Sequence, residues 1–155
     1  MIDRHLWVHA LSAIPEYDLK SATDKAKSIY TVRHLTLPEE GLGLLKMKDG
    51  ALGEHYYLGE FPVASAHIEL IDEKRNRTVE GGAHVMHDSA DYAADLAVCD
   101  ALLTARWPGW EDVARLLEVG MQKRREKEQR RKSMLARTRV NFDLLSEVKE
   151  EHDDN

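Results

Sequence analysis

The sequence of 155 residues lacks several features that would each indicate a class of protein. It contains one cysteine, Cys99, so no disulfide can form within the chain, and a reducing cytoplasmic setting suits it. No apolar run approaches the ~20 residues that a membrane-spanning helix needs. Charged residues interrupt the N-terminal segment, so we expect no signal peptide. The formal net charge of −6 gives the chain no general attraction to nucleic acid or to an anionic membrane.

The middle of the sequence predicts strands, and the two ends predict helices. Segment 29–37 is rich in β-branched and aromatic residues, and segments 43–48, 54–59, 63–72 and 77–86 also predict strands. Helical patterns lie at 3–12, 15–28, about 89–106 and about 111–148. Successive strands joined by short turns, such as Asp49-Gly50, favour an antiparallel meander. We therefore predict an α+β fold with an antiparallel sheet of about four to five strands, helices packed on the sheet, and a long protruding C-terminal helical arm.

The arm is predicted from a stretch without apolar side chains at 122–133. A helix that is polar on all sides either crosses solvent or is stabilised by a partner. A helix from 111 to 148 would span roughly 57 Å, more than the ~30 Å diameter of a small domain. We therefore expect an α+β core domain at 1–110 and a helical arm with an acidic tail at 111–155. Apolar residues near the end of the arm indicate a partner chain.

The same region carries nine lysines and arginines between positions 123 and 139, interrupted by Glu126 and Glu128. Such a stretch can bind phosphate groups on a nucleic acid or a nucleotide. It can equally be a solvated helix face with i, i+4 pairs such as Glu126 and Arg130. Both interpretations stay open on the sequence alone.

His84 and His87 lie three residues apart, where a strand gives way to a helix. Two imidazoles at this spacing can share a metal ion, but no third ligand accompanies them, and we predict no metal site. Free amides at a helix N-terminus attract anions, which makes His87 a candidate for contact with phosphate. Alternatively, Asp88 or Ser89 only caps the helix. Cys99, on the apolar stripe of that helix, is predicted to be a core residue.

The tripeptide Leu58-Gly59-Glu60 separates two segments that predict strands. Because glycine lets the chain bend, we predict a tight turn at Gly59. The Glu60 carboxylate would then stand at the bend and could accept hydrogen bonds from a partner or from sugar hydroxyls.

The order of the short motifs resembles the PhnG subunit family of the bacterial carbon–phosphorus lyase system. The motifs are Glu40-Gly41, Gly53 with two aromatics before Leu58-Gly59-Glu60, Gly81 or Gly82 in a later strand, a helix with Ala93 and Ala97 that ends in Asp100-Ala101-Leu102, and Arg139-Val140-Asn141-Phe142. Members commonly carry Thr-Arg where this chain has Ala64-Ser65, and Gly-Arg-Asp where it has His87-Asp88-Ser89. The chain thus resembles a divergent member, and no phosphate-binding role passes to Ser65 or Asp88.

The resemblance implies a hetero-oligomer with a PhnI-like subunit and with PhnH-, PhnJ- and PhnL-like subunits. Such an assembly transfers the ribose triphosphate of ATP to an alkylphosphonate and releases adenine, as in ribose 1-methylphosphonate 5-triphosphate synthase. ATP is then a substrate of the complex, and this chain is expected to hold no cofactor and to act enzymatically only as part of a transferase. Catalytic residues are not assigned. The candidate substrate- or partner-binding residues are Gly59, Glu60, His87 and Arg139.

Two other functions follow from the residues alone. One is a nucleic-acid-binding or regulatory module that uses the basic helix 123–139, although the acidic net charge argues against nucleic acid. The other is a metal hydrolase that uses His84 and His87.

Overall fold

The computed structural model describes residues 2–137. A 3₁₀ turn, Arg4–Leu6, precedes helices α1 (Trp7–Leu11) and α2 (Glu16–Lys27). Strands β1 (Thr31–Lys48), β2 (His55–Asp72) and β3 (Arg77–Val85) follow, and then helices α3 (Ala90–Ala105) and α4 (Trp110–Arg137). The predicted α+β class and antiparallel sheet are confirmed.

Within the described residues the sheet has three strands in the order β1-β2-β3, fewer than the four to five that we predicted. Segments 29–37 and 43–48 belong to one strand, β1, and segments 54–59 and 63–72 belong to β2. Glycine does not end these strands, because a strand accommodates it at a bulge or where another group packs closely. The predicted tight turn at Gly59 is therefore wrong: Gly59 pairs with Leu45 inside the ladder, and Leu58 is an extra residue beside it on β2.

Helix α3 forms the centre of the core. Twelve of its residues are buried, far more than the single apolar stripe that the sequence predicted. A helix that is apolar on nearly all sides is enclosed by neighbours, and α3 contacts all three strands as well as α1 and α2. Val113 and Leu117 at the start of α4 belong to the same cluster. Cys99 is fully buried, as predicted, and this burial raises the pKa of its thiol well above the ordinary value.

Helix α3 approaches β3 closely at Gly81. A Cβ atom on Gly81 would lie 2.1 Å from the carbonyl oxygen of Ala97 and 2.7 Å from the amide nitrogen of Ala101. Gly81 pairs regularly with Ile68, so the glycine marks a helix contact and not a bulge. The absence of a side chain lets the helix backbone rest on the strand.

Asp100 joins three parts of the body. Its buried carboxylate accepts two hydrogen bonds from the Arg4 guanidinium, at 2.9 and 2.7 Å, and one from the Gly82 amide at 3.0 Å. The hydrogen bond and the charge of Asp100 raise the pKa of Arg4. Asp100 therefore fixes the N-terminal turn and the edge of β3 to helix α3.

The chain divides into two compact units, residues 1–123 and 124–155. Of the second unit the structure describes 124–137, where the side chains are exposed apart from a half-buried Arg124. The long final helix is confirmed as far as Arg137, and the predicted continuation through 138–148 lies outside the described residues. Among the helices in residues 2–137, none combines the length and the apolar character needed to cross a membrane.

Candidate functional site: an apolar ribbon beyond the third strand

Strands β1 and β2 continue well past the end of β3. The β1–β2 ladder runs from the Thr31–Ile71 pair to the Lys48–His55 pair, whereas β3 pairs only with residues 64–72 of β2. Residues 41–63 are thus a two-stranded segment, which we call the ribbon, with no third strand beside it in the described part of the chain.

A structured loop closes the ribbon. The two carboxylate oxygens of Asp49 accept the backbone N–H groups of Ala51 and Leu52, each at 3.1 Å. These hydrogen bonds favour the charged form, so they lower the pKa of Asp49. Gly53 takes a positive φ of 70°, which glycine adopts without strain. The predicted turn at Asp49-Gly50 is confirmed.

The register assigns the ribbon residues to two faces, because paired residues lie on one side of a sheet and neighbours alternate. Ala64 is buried on the side of the sheet that carries the helices. The ribbon positions that continue this helix-side face are Leu42, Leu44, Lys46, Lys48, His55, Tyr57, Glu60 and Pro62. The positions on the opposite face, which we call the open face, are Gly41, Gly43, Leu45, Met47, Tyr56, Gly59, Phe61 and Val63.

Much of the ribbon's apolar surface is exposed. Eight large apolar residues in the ribbon are at least 40% exposed, namely Leu42, Leu44, Leu45, Met47, Leu52, Tyr56, Tyr57 and Leu58. They present roughly 800 Å² together, about the area that one partner contributes to a standard protein interface. The ribbon is therefore the strongest candidate for a functional surface in the described chain.

The root of the ribbon is attached to the start of α3. The Glu40 carboxylate accepts the Ala90 amide at 3.3 Å, and the Ser89 hydroxyl caps the helix by accepting the Tyr92 amide at 3.2 Å. A carboxylate is favourable here because the helix N-terminus carries a partial positive charge. Glu40 therefore occupies a position that one of our two alternatives assigned to an external anion.

His87 lies beside this helix start among acidic groups. Its ring stacks on Tyr92 with centroids 4.2 Å apart, and its Nε2 lies 3.1 Å from Oε1 of Glu16. Its Nδ1 is enclosed and lies 3.5 Å from Oδ1 of Asp88. The carboxylates of Glu16 and Asp88 next to the ring would repel a phosphate group at this position. A ligand-binding role for His87 stays a prediction.

The other candidate residues are distributed as follows. Gly59 and Glu60 belong to the ribbon, Gly59 on the open face and Glu60 on the helix-side face opposite Leu44. Arg139 lies outside the described residues. Within residues 2–137 no group of three or more histidine, cysteine, aspartate or glutamate side chains is placed to hold a metal ion. The described residues thus offer the metal-hydrolase hypothesis no ligand set.

A cavity of about 570 Å³ lies between α2, β1 and α3. Two of its charged groups are engaged with each other, because Lys27 Nζ lies 2.5 Å from the Asp95 carboxylate, which also accepts the Thr23 hydroxyl at 3.0 Å. This pairing holds α2 against α3, and Lys20, His34 and Asp91 also line the cavity.

Sequence reasoning missed the exposed apolar residues of the ribbon and the contact of Glu40 with α3. A signal for the ribbon was present, because Leu44-Leu45 and Tyr56-Tyr57-Leu58 place apolar residues at consecutive strand positions. Consecutive apolar residues point to both sides of a strand, so no single solvated face is consistent with them.

The motif residues now have positions in the fold. Glu40 contacts the α3 start, Gly59 belongs to the ribbon, and Gly81 and Asp100 set the contact of α3 with β3. The family model described as phosphonate metabolism protein PhnG matches residues 2–146. No curated protein matches the chain. Since the family match covers nearly the whole sequence, the chain belongs to the PhnG family of phosphonate metabolism proteins.

Proposed function

We propose that this chain is an accessory subunit of a carbon–phosphorus-lyase-type core complex in the cytoplasm. Its family takes part in phosphonate metabolism as a component of a multi-subunit complex. In the proposed assembly the chain supports a PhnI-like subunit, together with PhnH-, PhnJ- and PhnL-like subunits. The complex transfers the ribose triphosphate of ATP to an alkylphosphonate, displaces adenine, and forms a ribose 1-alkylphosphonate 5-triphosphate.

The exposed apolar surface of the ribbon carries this proposal. Burial of roughly 800 Å² at about 25 cal/mol per Å² corresponds to about 20 kcal/mol of gross hydrophobic stabilisation. Lost rigid-body freedom and side-chain ordering offset an estimated 4–15 kcal/mol or more of this gain. The ribbon alone therefore offers enough area for a stable subunit contact.

The candidate residues fit a supporting role in this proposal. Glu60 lies among apolar ribbon residues, where its carboxylate can accept hydrogen bonds from a partner at the rim of the contact. Gly59 leaves the open face without a side chain opposite Leu45. Both residues would therefore shape the contact with the PhnI-like subunit, while the reacting groups come from other subunits.

Co-expression tests the proposal. The chain and its PhnI-, PhnH-, PhnJ- and PhnL-like neighbours would be produced together, purified through a tag on the PhnI-like subunit, and assayed for adenine release from ATP with methylphosphonate. We expect the chain to co-purify in a fixed ratio and adenine release to require it. A chain that stays a monodisperse monomer in the presence of every partner, with adenine release unaffected by its omission, would refute the proposal.

The basic end of α4 favours a second candidate, a nucleic-acid-binding or regulatory module. Eight lysines and arginines lie in residues 123–137, and nearly all of that segment is exposed. Part of this charge is locally balanced, since Lys132 Nζ lies 3.7 Å from Glu128. This candidate predicts binding to a DNA or RNA oligonucleotide that weakens steeply with salt. Absence of binding at low salt would remove it.

A further inference from the structure

We infer that the ribbon inserts into a cleft of one partner subunit, so that both of its faces are covered. This inference rests on the proposed function, since it takes another subunit of the complex as the occupant. It adds the mode of binding and the chemistry of the two walls of the cleft.

The open face of the ribbon requires an apolar wall. All eight of its positions are apolar, aromatic or glycine, without a charged side chain among them. Leu45 is 43% exposed and Tyr56 is 46% exposed. Gly43 faces Phe61 so closely that a Cβ on the glycine would lie 2.6 Å from the ring. Gly41, Gly43 and Gly59 add no side chains to this face, which allows close approach of a second surface.

The helix-side face requires a wall of mixed character. Leu42 and Leu44 are 68% and 59% exposed and lie in line with Lys46 along β1. Tyr57 and Glu60 face them from β2. A wall that fits this face combines apolar side chains with a carboxylate for the lysine and a donor for Glu60.

A partner that covered only one face would leave the other in water. A ribbon that lies flat on a surface buries one side, and the side facing solvent is then polar in a strand of alternating pattern. Here the open face has no charged side chain, and the helix-side face exposes Leu42, Leu44 and Tyr57 beside its charged residues. A second copy of this chain would offer an equivalent flat ribbon, which also covers one face only. A cleft within a different subunit covers both.

Addition of a partner strand along the β2 edge of the ribbon is a poor alternative. On β2, Pro62 has no N–H group to donate, and the extra residue Leu58 interrupts the spacing of the ladder. Proline and bulges of this kind blunt a strand edge against pairing. On the β2 side, the side chains of the two faces therefore offer a partner more than the backbone of the edge.

Single charge insertions on the two faces test the inference. Leu45→Glu lies on the open face and Leu44→Glu on the helix-side face, and Tyr17→Glu is the control, because Tyr17 is 81% exposed on α2 and is not a ribbon residue. Affinity for the PhnI-like subunit would be measured by titration, and thermal unfolding would verify that each variant is folded. We expect each ribbon variant to bind roughly 30-fold more weakly or worse, as at an interface hot spot, and the control to bind like the wild type.

Hydroxyl-radical footprinting of the wild-type complex tests the same inference without a substitution, so misfolding of a variant cannot affect the result. We expect protection from oxidation on both faces, at Leu44 and at Leu45. If the wild type binds but only one face is sensitive or protected, the cleft is refuted while the subunit role stands. Self-association of the isolated chain that both substitutions abolish would identify a second copy as the occupant and overturn the inference. If the wild type binds no partner, both the proposed function and the inference fail.

Discussion

Replacement of Gly81 by alanine is expected to destabilise the fold more than any other addition of one methyl group to β3. The new Cβ would lie 2.1 Å from the Ala97 carbonyl oxygen and 2.8 Å from the Ala101 Cβ. The nearest of these atoms is backbone, so relief requires α3 to move away from the sheet by roughly 1 Å. Overpacking of a close-packed core costs about 1–3 kcal/mol, and backbone contacts of this kind place the cost near the upper end.

Gly82→Ala is the matched control, one residue further along the same strand. Its Cβ would have only the Ala66 carbonyl oxygen within 4 Å, at 3.8 Å, which is ordinary van der Waals contact. Neither glycine has a positive φ, so alanine can adopt the backbone dihedral angles at both positions. The two substitutions then differ only in the space around the new Cβ. Gly82→Ala is then neutral or stabilising by about 0.4–1 kcal/mol, because alanine restricts the unfolded chain.

Urea denaturation monitored by circular dichroism measures the difference between the two variants. We expect Gly81→Ala to lie about 3 kcal/mol below Gly82→Ala, equivalent to a melting temperature roughly 10 °C lower for a chain of this size. Equal stabilities of the two variants would refute the reasoning, since they would mean that α3 does not rest on the backbone at Gly81.

Three further outcomes are expected. Cys99, the single thiol, should react with Ellman's reagent only when the protein unfolds, because burial raises its pKa and blocks access; rapid labelling of the native protein would contradict its place in the core. Hydrogen bonds, of which that from Arg77 is the strongest, lower the pKa of Asp72 in the folded state. The charged carboxylate therefore stabilises the fold. This contribution is complete above the unfolded pKa of about 3.9 and is lost as the pH falls through the lower folded pKa. The urea midpoint of Asp72→Asn should therefore fall less between about pH 5 and pH 2 than that of the wild type, and parallel curves would count against the pairing. Glu40→Gln should cost about 0.3–1 kcal/mol at low ionic strength through the weaker interaction with the α3 N-terminus at Ala90, and a loss unchanged by added salt would argue against an electrostatic origin.

The helices and the fold class followed from the sequence because their signals are local. Pro15 precedes α2, and Ser89 caps α3 as its position before an apolar stripe predicts. The number of strands did not follow, because a glycine in a strand has the same sequence signature whether the chain turns there or continues. The strand continues through Gly59 because β1 pairs with β2 on both sides of this glycine. That pairing joins residues that are far apart in the sequence, so no local pattern indicates it.

The candidate site was predictable only in part. Glu60 and Gly59 lie in one exposed region, and the apolar character of that region depends on which strand positions share a face. Register sets this, and a shift of one residue would exchange the two faces. The position of Glu40 at the start of α3 depends on the packing of a strand root against a helix fifty positions later, so no local pattern indicates it.

The exposed ribbon also has a consequence for how the cell controls the amount of this protein. A copy without its partner displays an apolar surface of the kind that chaperones and degradative proteases bind on unfinished or orphaned chains. Assembly would hide that surface. The abundance of this chain should therefore follow the supply of the subunit that covers the ribbon, because surplus copies are degraded. Exposure of the ribbon would then distinguish unassembled copies from assembled ones.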